Sequence, residues 1–448
     1  MSTPDPSLST VLFSGPHSAA ELCRLLKISQ PTCSRRLKAL GDQVLDFGGY
    51  RERRYALRRS IRGRDRFPLF RVTAGGQLEH WGVLHPVRPE GFVLVRPEST
   101  LYNRWYPGLP WWLLDMTPQG FLGRAFAREH AQRLGLPSEL TLWQDDHVML
   151  AIGAAGEDVV GNLLIGEAAR EQWLARELPT ALPQAELPAR YRAMAQRALG
   201  GEVVGPSAGG EQPKFAAYVE TDHGPRHVLV KFTANQDNPV TQRWKNLLAC
   251  EHLALALLRK AGLPAAQSRI HDHEGQRFLE VQRFDRVGAE GRLGLVSLTA
   301  LDAEYVGKAA KAWPAMTRVL MEQGIIAADD HALACRLTAF GIMIGNGDMH
   351  NGNLSFLHDG SEPYTLAPTY DMLPMALAPR TSGEIPEVKP AVLTLGPAKS
   401  DWSIMLPLAR QYWQEVDAST LIDVAFRDVV RQMLARLDLI EQQIARLA

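Results

Sequence analysis

The chain has 448 residues, 46% hydrophobic and 22% charged, with 49 Lys/Arg balanced by 49 Asp/Glu. This is an ordinary globular composition with room for about three domains, and no run of about 18 apolar residues suggests a membrane span. The opening MSTPDPSLSTVLFSGPHS lacks the basic start and apolar core of a signal peptide, and Cys23, Cys33, Cys250 and Cys335 form no C-x-x-C pair, so a cytoplasmic chain without a disulfide framework or zinc site is expected.

The zero net charge is unevenly spread: Arg24 to Arg71 holds fourteen Lys/Arg against four Asp/Glu. Such a block on a neutral chain points to one anion-facing region. Within it, SAAELCRLLKISQPTCSRRLKAL predicts two short helices. Ser18 with Glu21 makes a capping box for the first, and Ser29 with Pro31 starts the second. Leu37 and Leu40 turn inward, and the polar face carries Arg35, Arg36 and Lys38. VLDFGGYRERRYAL then reads as a hairpin around Gly48-Gly49. Helix, turn, helix and basic hairpin resemble a winged helix-turn-helix over residues 1–60, with Arg35, Arg36, Lys38, Arg51, Arg53 and Arg54 facing DNA. A homodimer is a further expectation, since such domains often work in pairs.

RSIRGRDRFPL reads as a linker. Short strands follow over 61–168 (LFRVTA, LEHWGVLHPV, GFVLVRP, HVMLAIGA), with a helix at GFLGRAFAREHAQRLG. The tryptophans of LPWWLLDMTPQGFLGR are read as packing. GPSAGGEQPKFAAYVE is a glycine-rich loop entering a strand, RHVLVKFTA a second strand, TQRWKNLLACEHLALALLRKAG a helix and RIHDHEGQRFLEVQRFDR a hairpin. His271 and His273, in that hairpin's turn, are read as solvated rather than metal-binding. From about residue 291 the chain is mainly helical. Leu333, Leu337, Phe340 and Ile344 share one helical face, and the C-terminal stretch from Leu421 is amphipathic. The expected fold is α+β, with a β-rich kinase lobe over 169–290 and a helical lobe over 291–448.

The helix ending at Ile344 runs into GNGDMHNGNLSF. Asp348 followed five residues later by Asn353 is the spacing at which kinases place a catalytic carboxylate and a metal-binding amide. Asp348 would orient the attacking hydroxyl, and Asn353 would give a hard oxygen to Mg2+. Asp371, in PTYDMLP, supplies the second metal ligand. Lys231 sits mid-strand in VLVKF, where a buried cation needs a partner, and Glu251 on the next helix offers one. Ser207, Ala208, Gly209 and Gly210 lie in the glycine-rich loop, whose backbone can approach phosphate oxygens. Gln282, Arg283 and Phe284 fall where an adenine would meet the connection between lobes. For His350 two readings stay open: it orients Asp348 or a phosphate, or it makes a hydrogen bond within its own loop.

Together SAGGEQPKF, LVKF, EVQRFDR, GNGDMHNGNLSF and PTYDMLP resemble the HipA family of bacterial serine/threonine kinase toxins, from about residue 69 to the C-terminus. With the N-terminal helix-turn-helix, the chain looks like that family's YjjJ-type branch. The resemblance implies an ATP- and Mg2+-dependent kinase with Lys231 on the nucleotide, Asp348 catalytic, and Asn353 and Asp371 as Mg2+ ligands. It makes Ser207 an autophosphorylation site that shuts off ATP binding. It also implies a protein substrate, such as an aminoacyl-tRNA synthetase or other translation factor, and restraint by an antitoxin that is either separate or built into this chain. Gly352 departs from the family's lysine, and Glu211-Gln212-Pro213-Lys214 is an altered loop. Two other readings compete: a phosphotransferase of the aminoglycoside or choline type, although Asn346 replaces their usual His, and a nucleotide-sensing DNA-binding regulator with an inactive kinase fold.

Overall fold

A computed structural model describes residues 6–49, 52–96, 103–200, 212–307, 312–390 and 392–447. The chain forms two compact units, Met1–Thr73 with Gln77–Thr117 and His130–Glu177, and Ala74–Gly76 with Pro118–Glu129 and Leu178–Ala448. No described helix is long and apolar enough to cross a membrane.

In the first unit the two predicted helices are Ala19–Leu26 and Gln30–Leu40. The Ser18 hydroxyl accepts from the Glu21 N–H at 3.3 Å, and the Ser18 N–H donates to Glu21 Oε2 at 2.7 Å. These bonds satisfy otherwise orphaned helix-end donors. Lys27, left-handed at φ 52°, turns the chain between the helices. A helix not expected from the sequence, Pro6–Phe13, adds the fully buried Leu8 and Leu12 to a core with Leu22, Cys33, Leu37 and Leu40. Strands Val44–Phe47 and Arg54–Leu57 form the expected hairpin, and His17–Ser18 pairs with its second strand. The last pair of the hairpin is Phe47 with Arg54, a wider separation than a turn at Gly48-Gly49 alone would leave.

The segment read as a linker is held at many points. The Arg59 N–H bonds Pro86 O at 3.1 Å, and the Arg88 N–H bonds Leu57 O at 2.8 Å. The Arg59 guanidinium clasps both oxygens of Asp146 at 2.6 and 2.8 Å, and Arg62 donates to the carbonyls of Leu134 and Gly135. A second core of Leu45, Phe47 and Ala56 with Val87 and Val93 joins the hairpin to the sheet beyond it.

That sheet is antiparallel, in the order Trp105–Tyr106, Phe92–Val95, Leu78–Pro86, Phe67–Val72, Leu163–Ile165. HVMLAIGA, expected as a strand, lies in the helix Asp145–Ala155. Its unbroken buried run Val148–Gly153 fits either structure by periodicity. Asp145 and Asp146 in the first turn, complementing the helix dipole, and Gly156 at the end favour the helix. Trp111 and Trp112 are buried, as expected of packing residues.

In the second unit four antiparallel strands run in the order Ser268–His273, Gln276–Gln282, Arg226–Phe232, Lys214–Val219. Strand alternation divides their side chains between two faces. Val228, Val230, Phe232 and Phe278 face the helix Leu187–Leu199 through Leu187, Tyr191 and Ala195. Lys231 points to the other face, towards the helix Pro239–Lys260. The rest is built on the helices Trp313–Glu322, Ala328–Ile344, Lys399–Ala418 and Phe426–Ala445. A three-stranded ladder, Gly294–Ser297, Ser355–His358 and Thr365–Leu366, supports the loop after Ile344. Leu337, Phe340 and Ile344 are fully buried, and Gly345 ends their helix at φ 84°, a conformation that costs glycine little.

Candidate functional site

Lys231 explains itself by its partners. Its ammonium is 2.7 Å from both oxygens of Glu251 and also contacts Asp371 Oδ1. Lys231 is 6% exposed and Glu251 0%, so each charge depends on the other for compensation. Burial pushes the Lys231 ammonium towards neutrality, but Asp371 and Glu251 outweigh it and raise its pKa. Burial raises the Glu251 carboxyl. Asp371, more open to solvent, also feels burial, yet Lys231 and Lys214 hold its pKa below the usual aspartate value. Its backbone is left-handed, φ 52°, a strained setting that Asp tolerates better than most residues.

Lys214 was not singled out from the sequence. It lies directly across the strand pair from Lys231, on the same sheet face, and is 4% exposed. Two buried lysines thus stand side by side facing Asp371, as a pocket for several negative charges requires. Register, rather than any local motif, puts them together.

The loop after Ile344 is fixed through its backbone. Asn346, 6% exposed, accepts from the Asp348 N–H at 3.0 Å and donates to the Asp371 carbonyl at 3.3 Å. One amide therefore ties the proposed catalytic residue to the proposed metal ligand. Asn353 Nδ2 donates to the Asp348 carbonyl at 2.8 Å, leaving the Asn353 amide oxygen as its remaining acceptor. No described residue hydrogen-bonds the exposed Asp348 carboxylate. His350 Nδ1 accepts from the Gly352 N–H at 3.1 Å, so neutral His350 carries its proton on Nε2. The loop-bond reading of His350 is thus present, and Nε2–H is still available for other work.

Tyr370 joins this loop to the strand connection. Its hydroxyl donates to Gly352 O at 2.7 Å and lies 2.7 Å from Ser355 Oγ, and its ring is 5.6 Å from that of Phe284. Gln282 and Arg283 hold their place by backbone bonds to Gln267 O and His227 O at 2.8 and 2.9 Å. The Arg283 side chain is in a buried pair with Asp285 at 2.8 Å, because a guanidinium enclosed there needs a counter-charge. His271, expected in solvent, is half-buried beside Glu280, 2.5 Å away. Ser207, Ala208, Gly209 and Gly210, and Arg51 of the basic hairpin, lie outside the described residues.

In the N-terminal segment Arg35 and Lys38 are exposed and Arg36 half-buried. Arg53 lies 3.6 Å from Asp46, and Arg54 lies 3.7 Å from Glu21.

Comparison with known proteins gives a consistent set of likenesses. Residues 63–174 match the family model described as YjjJ-like toxin, middle domain, and residues 206–440 match HipA-like C-terminal domain. The chain is 40% identical over 442 residues to Toxin YjjJ of Escherichia coli (strain K12), covering 98% of this chain and 99% of that protein. Among solved structures, HipA of Shewanella oneidensis MR-1, in complex with HipB and its operator DNA, superposes with a TM-score of 0.53 at 15% identity, covering 83% of this chain and 96% of that one.

Proposed function

The chain belongs to the HipA family, in its YjjJ-type branch, and from that premise we propose that it is an ATP- and Mg2+-dependent serine/threonine protein kinase acting as a growth-arresting toxin. One observation carries the reading: Lys231, Glu251 and Asp371 form a charge cluster, and Asn346 connects it to Asp348. A purely structural buried pair needs no third charge left open to solvent and no exposed carboxylate held beside it.

The donor set fits the proposed cofactor. Asp371 and the Asn353 amide oxygen are hard ligands of the kind Mg2+ takes, and Lys231 and Lys214 are cations for phosphate oxygens. Mg-ATP, when bound, supplies the phosphoryl group and the cation that shields its charge. This chain's own residues then do the positioning. Glu251 holds the Lys231 ammonium in place. Asn346 fixes the backbone of Asp348, whose carboxylate accepts the proton of an incoming serine or threonine hydroxyl. His350 offers Nε2–H to a phosphate oxygen. The backbone at Gln282–Phe284 is proposed for the adenine side, and Ser207, Ala208, Gly209 and Gly210 are proposed for the phosphates. Ser207 is the residue modified when the kinase acts on itself.

Residues 1–60 are proposed as a winged helix-turn-helix that presents Arg35, Arg36, Lys38, Arg51, Arg53 and Arg54 to DNA. The helix pair, the first of them capped by Ser18 and Glu21, and the basic hairpin support this, and the HipA–HipB–operator complex is a precedent for DNA in the family's assemblies.

The test is intact-mass spectrometry of the protein before and after Mg-ATP, wild type beside Asp348→Asn. Wild type alone should gain phosphate, mapped to Ser207, with both proteins equally folded by circular dichroism. Equal phosphate on the Asn variant removes Asp348 from the mechanism. No phosphate on wild type, and none on any offered protein, refutes the kinase reading.

A further inference from the structure

The helix Ala328–Ile344, which delivers the loop of Asp348, carries a buried glycine in its interior. An interior glycine weakens a helix relative to alanine, and the backbone of Gly341 is not left-handed, so its reason is steric. A Cβ there would run into Met349 Sδ and would stand 3.4 Å from both Met349 Cε and Met372 Sδ. Its three nearest neighbours outside the helix backbone thus all belong to two methionines. Met349 directly follows Asp348, and Met372 directly follows Asp371. Met372 is 0% exposed and Met349 half-buried. The side chains after the proposed base and after the proposed metal ligand therefore lodge in one notch. The glycine's backbone serves the same junction. Its carbonyl accepts the Asn346 N–H at 2.7 Å. The Asn346 amide, which holds the Asp348 N–H and the Asp371 carbonyl, also has Nδ2 3.7 Å from Met372 Sδ.

We propose that Gly341 is a positioning residue for phosphoryl transfer: its missing side chain seats Met349 and Met372 together and so sets the spacing between Asp348 and Asp371. The inference rests on the kinase reading of those two carboxylates. It gives Gly341, Met349 and Met372 no contact with nucleotide or substrate. A methyl group added at 341 pushes Met349 out of the notch, and the backbone of Asp348, one residue away, moves with it. Met372, against the same Cβ position, passes the displacement to Asp371. Thioethers are flexible enough to yield without unfolding the protein, so the damage falls on alignment. Lys214, Lys231 and Glu251 stand on the strands Lys214–Val219 and Arg226–Phe232 and the helix Pro239–Lys260, not on the notched helix. Nucleotide affinity should therefore change less than turnover.

The experiment compares full-length wild type, Gly341→Ala, Met349→Ala and the double variant. Gly341→Ala should lose about tenfold or more in kcat, the scale of a small misplacement of reacting groups. Its KM for ATP should change by about twofold at most, as expected when alignment rather than binding is lost. Trimming Met349 vacates the space the new methyl needs, so the double variant should turn over faster than Gly341→Ala, a coupling of touching side chains. A merely structural role would not give this rescue, because removing more of the packing would only add to the damage. Methyl NMR of protein with carbon-labelled methionine gives a readout without turnover. In Gly341→Ala the Met349 and Met372 methyls should both shift, while Met149, in the first unit, stays. Unmoved Met349 and Met372 methyls overturn the inference. So does wild-type kcat in Gly341→Ala, or a double variant no faster than Gly341→Ala. A wild type that phosphorylates neither itself nor any offered protein refutes the kinase reading, and the positioning role with it, whatever the methyls do.

Discussion

Glu251 and Asp371 share one lysine but sit in different surroundings, and replacing each in turn separates holding the lysine from doing chemistry. In Glu251→Gln the shape is kept and a fully enclosed charge is removed. Lys231 then faces a neutral amide at 2.7 Å from inside the fold. Breaking a buried pair costs about 3–5 kcal/mol, and Asp371 still compensates the ammonium, so the lower end, about 3 kcal/mol, is expected. At roughly 2–4 °C per kcal/mol for a unit of this size, melting should fall by ~6–12 °C. In Asp371→Asn the lost carboxylate is partly exposed, with 28% of its side chain open. Its pair is worth about 1 kcal/mol or less once solvent screening is counted, a shift of ~4 °C at most. Phosphoryl transfer should rank the other way: Asp371→Asn inactive, and Glu251→Gln slowed but measurable at temperatures where it is folded. Differential scanning fluorimetry and a fixed-temperature radiolabel assay read both quantities on the same samples. Equal melting shifts, or a larger one for Asp371→Asn, would refute the assignment of Glu251 as the buried anchor.

Two further predictions rest on single contacts. His85, 8% exposed, has its pKa pushed down to about 4 by burial, with the Arg58 guanidinium 2.9 Å from Nδ1 adding to the effect. The unfolded chain therefore takes up that proton near its ordinary 6.5 and the folded one near 4. Stability is fully present above the first value and falls as pH drops towards the second, by on the order of 3 kcal/mol. A urea titration of His85→Gln should lose that slope, and an unchanged slope would assign the acid sensitivity elsewhere. At Gly352 an added Cβ would meet the His350 ring at 2.9 and 3.0 Å. Gly352→Ala should displace the ring and slow turnover about fivefold, the worth of one hydrogen bond; an unaltered rate would detach His350 from the reaction.

What the sequence made legible was local. Ser18 and Glu21 satisfy one helix end between them, so their capping box needs nothing distant. A mid-strand cation such as Lys231 is costly unless paired, and Glu251 pairs it as the sequence order suggests; Asp348, Asn353 and Asp371 stand out in the sequence by their order in two polar loops. What stayed hidden depends on the rest of the chain. Lys214 joins the proposed site only through its register with Lys231. Asn346 looked like a departure from another kinase pattern, yet its two backbone partners make it the connector. The run Val148–Gly153 has no period when every side is buried. The supposed linker carries the right residues for a linker, and only its partners Asp146 and the Leu134 and Gly135 carbonyls show that it is tied down.

Those ties change the electrostatic argument for DNA. The block from Arg24 to Arg71 holds fourteen cations, but they are not equivalent. Arg59 is bidentate on Asp146, Arg62 is spent on carbonyls, Arg58 is on His85, and Arg71 is 2.8 Å from Glu79. Arg53 and Arg54, by contrast, sit in partly exposed pairs longer than 3.5 Å, which a phosphate can replace at little cost. Of the ten other cations of the block, the six proposed for phosphates are those of the second helix and the hairpin: Arg35, Arg36, Lys38, Arg51, Arg53 and Arg54. Each neutralised phosphate contributes about −0.9 to the slope of log affinity against log salt. The proposed contact therefore predicts a slope of about −5, where the whole block would give about −13. Fluorescence anisotropy of a labelled duplex across a salt series measures it directly. Arg35→Ala should bring the slope up by about one, and Arg59→Ala should leave it alone while lowering stability. A slope near that of the full block, or one that Arg59 alters as much as Arg35, would mean that DNA meets the tied segment rather than the second helix.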